Sequence, residues 1–306
     1  MVLGLNATAS VVEKFVTSSD GVEIFAQAVG DSRLPTLIFI HGLALSALVW
    51  VKILRDANLL KSFQLVAYDL RGHGRSGKPD TLSGYSSELY AQDFAAVLKT
   101  FGIKSPILVG WCARTIAADV TTYIEPDTLA GVVYTAALPW LGVNQIVATE
   151  WVQSLIPGLL ATNDSNLSIS TRIEFGTQLF NHPEAVPTDV LWSWIGSTIL
   201  QPPSKFGFLM GRTQDTTKLF EAGGNGLPLL VVNGGADKYI DGEKVLEVVD
   251  GHFKDLTVHT VKNGSHAFFY EDQAEFVREF GEVRQEGVRA GTEAVTLSVA
   301  AEFGAF

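Results

Sequence analysis

Two hydrophobic patterns take turns along most of this chain. One is the short, mainly apolar run, found at Thr36–Ile40, Gln64–Tyr68, Ile107–Val109, Leu129–Tyr134, Leu227–Val232 and Leu256–Val261. Runs this short, bounded by turn residues, predict strands buried on both faces. The other places apolar residues three or four apart. It predicts helices over Trp50–Leu60, over Ser86–Phe101 with Tyr90, Phe94, Val97, Leu98 and Phe101 on one face and Gly102 as the stop, and near Asp241–Val249. A last helix carries Phe276, Phe280 and Val283. Ahead of them, residues 11–29 read as a half-buried hairpin around Ser18-Ser19-Asp20-Gly21, with Val22, Ile24 and Ala26 alternating against more polar neighbours. Strand and helix in alternation predict an α/β fold, a mostly parallel, doubly wound sheet with right-handed crossovers.

The alternation stops between Pro139 and Gly226. That stretch has no strand-like run; its apolar segments carry Trp140, Trp151, Trp192 and Trp194, and Pro157-Gly158, Pro183, Pro187 and Pro202-Pro203 separate them. The expected organisation is a core of residues 1–138 and 227–306 with a helical insertion, 139–226. Gly223-Gly224-Asn225-Gly226 precedes a strand, so it reads as a turn and not as a dinucleotide fingerprint. Beyond Gly291 no element is predicted.

Composition narrows the function classes. With 306 residues, 47% of them hydrophobic, the chain can bury a sizeable core. A formal net charge of -11 without a basic stripe argues against nucleic acid or an anionic membrane as partner. The single cysteine cannot form an internal disulfide. Met1–Phe15 lacks the form of a secretory signal, and no apolar run is long enough to span a bilayer, so a cytoplasmic location is expected. The expected partner is a small molecule. The sequence sets no oligomeric state.

The candidate chemistry gathers where strands end. Ile107–Val109 runs into a tight turn, Gly110–Arg114, and then an alanine-rich helical segment, which exposes Cys112 at the apex beside the unpaired N–H groups of the first helical turn. Asp237 follows the strand that ends at Val232-Asn233-Gly234, and His266 follows the strand that ends near Gly264. Thiol, carboxylate and imidazole thus lie just past the C-terminal ends of strands, where open parallel sheets place their sites. His41 and His73 read as braces of loops. His182, His252 and His259 have no metal-ligand spacing, so neither a metal nor a cofactor is expected.

Gly110-Trp111-Cys112-Ala113-Arg114 resembles the G-x-S-x-G nucleophile elbow of α/β-hydrolases, with cysteine for serine and Arg114 for the last glycine. Asp69–Gly77 is similar to that family's R-G-x-G-x-S loop, the chain order Cys112, Asp237, His266 matches its triad, and the likeness runs from about residue 11 to 285. The resemblance, to esterases, lactonases and haloperoxidases among others, implies that residues 139–226 form a cap. It implies that Cys112 attacks an acyl carbon, that His266 is general base and then acid, that Asp237 orients it, and that the N–H groups of Leu43 and Ala113 bind the oxyanion. Trp111, Arg114, Trp140, Trp192 and Trp194 are candidates for substrate contact, the tryptophans alternatively being cap core and Arg114 alternatively pointing to solvent. The expected activity is hydrolysis of small, largely apolar esters, lactones or thioesters through a thioester acyl-enzyme. Acyl transfer, ligand binding without turnover and cofactor-free lyase chemistry are the alternatives.

Overall fold

A computed structural model describes residues 10–112, 115–125 and 127–281. Val283 and the tail beyond Gly291 lie outside the described residues. Eight strands form one sheet: β1 (Val12–Thr17), β2 (Glu23–Val29), β3 (Thr36–Ile40), β4 (Gln64–Tyr68), β5 (Ile107–Cys112), β6 (Gly131–Ala137), β7 (Leu229–Gly234) and β8 (Leu256–Val261). Their order is β1-β2-β4-β3-β5-β6-β7-β8. The pairs β1–β2 and β2–β4 are antiparallel and the rest are parallel, so the alternation of patterns is read correctly as an α/β fold.

Strands β3 to β7 are buried along their whole length. Two expectations about the edges need correction. β2 is buried beyond Glu23, because the helix Ser87–Phe101 packs against it and Arg75 lies over the Phe25 ring. β8, expected to be fully buried, is the far edge strand and exposes alternate residues.

The helix expected over Trp50–Leu60 is replaced by two 3-10 turns, Ala47–Trp50 and Ile53–Arg55, and one α turn, α1 (Leu59–Ser62). The Asp56 carboxylate accepts the N–H groups of Asn58 and Leu59, and this local turn competes with a continuous helix. α2 (Ser87–Phe101) begins at a Ser86 cap and ends at Gly102, which is left-handed. α3 (Ala117–Tyr123) follows β5.

Between β6 and β7 the described residues hold helices and no strand: α4 (Asn144–Val147), α5 (Glu150–Leu160), α6 (Ser165–Thr177), α7 (Thr188–Ile199), α8 (Pro203–Met210) and α9 (Thr217–Gly224). The prolines at 187, 202 and 203 start helices, as their fixed φ allows. Pro157-Gly158, expected to be a breaker, instead lies inside α5. There Gly158 lets α6 approach, since a Cβ on it would sit 1.9 Å from the Thr171 hydroxyl. α9 turns back to pack on α3, and its last turn absorbs Gly223 and Gly224. α10 (Gly242–Val249), α11 (Phe268–Glu271) and α12 (Gln273–Gly281) complete the described chain.

Candidate active site

β5 ends at Cys112, whose φ of +60° is a left-handed conformation that costs an L-residue on the order of 1–3 kcal/mol. Three features hold it there. Gly110 leaves room for the returning chain, because a Cβ on it would lie 2.9 Å from the Thr115 methyl. The register against β6 shifts between Trp111 and Cys112, and Ala136, itself at φ +42°, is left out of the pairing. Thr115 donates its hydroxyl to the carbonyls of Leu138 (2.8 Å) and Pro139 (2.7 Å), tying the far side of the turn to the chain that leaves β6.

The loop after β3 closes on the same point. Gly42 is required there, since a Cβ on it would come within 2.8 Å of the Cys112 Cβ and 3.2 Å of the Trp111 ring. His41 fixes this loop as a neutral tautomer: its Nδ1–H donates to the Gly42 carbonyl (2.8 Å) and its Nε2 accepts the Leu70 N–H (3.0 Å). His73 does the same one loop on, donating to the Arg71 carbonyl (3.1 Å) and accepting from Gln201 (2.6 Å).

Asp237 and His266 arrive from the ends of β7 and β8 and meet: the ring Nδ1 lies 2.8 and 3.0 Å from the two carboxylate oxygens. Asp237 is itself held by the N–H groups of Tyr239 (2.7 Å) and Ile240 (3.2 Å). The imidazole is fully buried between aromatic faces. Tyr239 stacks on it at 4.3 Å, Trp111 lies at 5.3 Å, and the Trp111 indole donates to the His266 carbonyl (2.9 Å). With Nδ1 engaged, the contact with the Cys112 sulfur falls to Nε2, which has no nitrogen or oxygen partner among the described residues. Burial alone would lower the ring's pKa; the charges of Asp237 and then Cys112, with hydrogen bonds to both, outweigh it and push it from 6.5 up to about 10.

A small cavity of about 30 Å³ opens over Cys112. Leu43 forms one wall, Tyr239 and Ile240 another, and the insertion supplies Ala148, Val152, Ile156, Phe175 and Met210. Besides Cys112 its polar side chains are Asn144, Gln153 and the Tyr239 phenol, which donates to the Phe175 carbonyl and is occupied. Such a space suits a small, mainly apolar group.

Residues 35–273 match the profile of the alpha/beta hydrolase fold. The chain belongs to that family. It is 31% identical over 195 residues to a bifunctional esterase/perhydrolase of Acinetobacter calcoaceticus and 30% identical over 195 residues to a non-heme haloperoxidase of Rhodococcus erythropolis. Each alignment takes in 59% of this chain and 66% of the relative, so the chain spans just under two thirds of these curated relatives. Among solved structures, an esterase from Rhodococcus sp. ECU1013 superposes with a TM-score of 0.75 at 28% identity, over 88% of this chain and 96% of that one.

Within this α/β-hydrolase frame, the structure brings Cys112, Asp237, His266 and Leu43 together. Ala113 and Arg114 lie outside the described residues. The four tryptophans expected at the substrate are not among the cavity walls. Trp111 is buried behind the imidazole, Trp140 packs edge-on to Phe220 (5.1 Å), and Trp194 is wedged between Phe180, Phe269 and Tyr270. Trp192, on the outer side of α7, is 69% exposed. A tryptophan count signals a buried layer without saying which layer. Sequence reasoning missed Tyr239, two residues past the acid, and Asn144 and Gln153, whose approach to Cys112 depends on how the insertion folds back.

Proposed function

We propose that this chain is a thiol-dependent acyl hydrolase for small, largely apolar esters, lactones or thioesters, with residues 139–226 acting as its cap. The observation that carries this reading is the Asp237–His266 pair set against a strained, buried Cys112 at the floor of an apolar cavity. In the resting site the raised imidazole pKa favours a thiolate–imidazolium pair. Cys112 Sγ bonds to the acyl carbon and the carbonyl electrons move to oxygen. The N–H of Leu43, which has no acceptor among the described residues, is one donor for that oxyanion, and the N–H of Ala113 is the other by its place after the nucleophile. As the tetrahedral species collapses, the bond to the leaving group breaks and His266 Nε2 gives it a proton. The thioester carries no charge, so the imidazole loses one of the partners that kept it protonated and becomes a base. It takes a proton from water, the water oxygen bonds to the acyl carbon, and collapse expels the thiolate.

A second reading, acyl transfer, gains support from one feature: Cys112 is 4% and His266 1% exposed, under mainly apolar walls that limit access of water. Rapid-quench intact-mass analysis with a panel of activated esters tests both. The expected result is an acyl adduct on Cys112 that clears in buffer. An adduct that persists until an alcohol, amine or thiol is added indicates transfer. Turnover without any adduct, or neither adduct nor turnover, sinks the covalent reading in favour of lyase or binding-protein function.

A further inference from the structure

The outer side of the insertion has a surface that the site does not use. α6 and α7 pack antiparallel: a Cβ on Gly176 would meet Ile195 at 2.9 Å, and the Arg172 guanidinium donates to the Thr198 carbonyl. In antiparallel helices the residues one step past such contacts turn to the same side, here Ile173 and Ile199. Ile169 lies a turn before Ile173, and Trp192 and Leu200 flank Ile199. All five are about half exposed or more. Together they present on the order of 500 Å² of apolar surface, a substantial share of the roughly 800 Å² that each partner contributes to a stable interface.

Gly196 sits in the middle of this face, and a Cβ on it would meet nothing within 4 Å. Neither its dihedrals nor its neighbours within the chain call for glycine, although glycine in a helix interior costs roughly 0.5–1 kcal/mol relative to alanine. Close approach of another helix does call for it. Trp192 and Leu200 lie four residues to either side, so a twofold axis through Gly196 sets Trp192 of each copy against Leu200 of the other. The run Val190–Ser204 contains no charged side chain, whereas the whole chain carries -11. A self-association that had to overcome this net charge would use such a face.

We propose that the α6–α7 face, centred on Gly196, is the interface of a homodimer formed through the insertion. The fitting occupant is a second copy, because the face is self-complementary about one residue and nearly free of charge. Sedimentation velocity on the full chain across a concentration series is expected to show a species of twice the 33.0 kDa chain mass. Trp192→Glu and Gly196→Leu should each raise the dimer dissociation constant by about thirty-fold or more. Ile146→Glu, an exposed position on α4, should leave it unchanged, with far-UV circular dichroism confirming that all three variants are folded. A single 33.0 kDa species at every concentration overturns the proposal. So does a dimer that persists in both face variants. A monomer that binds phosphatidylcholine vesicles through Trp192 also overturns it, by assigning the face to a lipid surface.

Discussion

At the scale of single residues, the site depends on charges that fix one another's protonation. His266 carries its proton more tightly in the fold than in the unfolded chain, since its pKa rises from 6.5 to about 10. The sign follows: its contribution to stability is complete below pH 6.5 and is lost as pH climbs through about 10. Because Cys112 is one of the charges responsible, Cys112→Ala should lower the His266 pKa and narrow that window, which NMR titration of the imidazole and urea melts across pH will show. The attraction is reciprocal, so His266→Ala should slow alkylation of Cys112 by iodoacetamide at neutral pH; an unchanged rate would count against the pair. Asp237→Asn removes the carboxylate charge and, with its oxygen kept by the Tyr239 and Ile240 N–H groups, turns an amide N–H to the ring and selects the wrong tautomer; a loss of about 10⁴ in turnover is expected, as for a triad carboxylate. Steady-state rates on any ester that the mass panel identifies will measure it.

At the scale of elements, the question is what keeps the helical insertion seated over Cys112. One tie is Gln214, just before α9. Its side-chain oxygen accepts the Leu141 N–H (2.8 Å) where the insertion begins, and its amide nitrogen donates to the Thr115 carbonyl (3.1 Å) and to Asp119 of α3 (2.8 Å). Both ends of the insertion are thereby fastened to the turn that carries Cys112. Within the insertion, buried Arg172 of α6 donates to the Leu159 carbonyl at the end of α5 (3.3 Å) and to the Thr198 carbonyl at the end of α7, where helix dipoles favour a cation. Arg172→Met keeps most of the volume and leaves those carbonyls without a donor. A loss of about 1–3 kcal/mol is expected in chemical denaturation, and the loosened cavity should show as a higher KM with a smaller change in kcat.

For the whole molecule, one buried ion network joins parts far apart in sequence. Arg71, in the loop after β4, donates to Asp93 of α2 (2.6 and 2.7 Å), to Asp20 in the β1–β2 turn (2.9 Å) and to the Gly84 carbonyl (2.8 Å). Both Arg71 and Asp93 are completely buried. Asp93→Ala leaves a buried cation short of its main partner, and a cost of about 3–5 kcal/mol is expected. Asp93→Asn, which keeps an acceptor, should cost less; equal midpoints for the two variants in guanidinium denaturation would show that charge is not what the network contributes.

Much of this was legible in the sequence, for physical reasons that can be named. Strands buried on both faces must be continuously apolar, so β3 to β7 stand out of the pattern, and their order with the intervening helices leaves little choice but an α/β sheet. The strained turn at Cys112 needs Gly110 before it, and Asp237 and His266 stand just past strands that the pattern marks; that the three belong together is what the resemblance to the α/β-hydrolase chain order implies. What depends on neighbours from distant sequence could not be read. The burial of β2, the exposed alternation of β8 and the continuity of α5 through Pro157 are decided by what packs against them. The same holds for the cavity: hydrophobicity marks a tryptophan as suited to burial, but only the crossing of α5, α6 and α7 decides that Trp194 is buried, that Trp192 faces outward, and that Asn144, Gln153 and Tyr239 reach the space above the thiol.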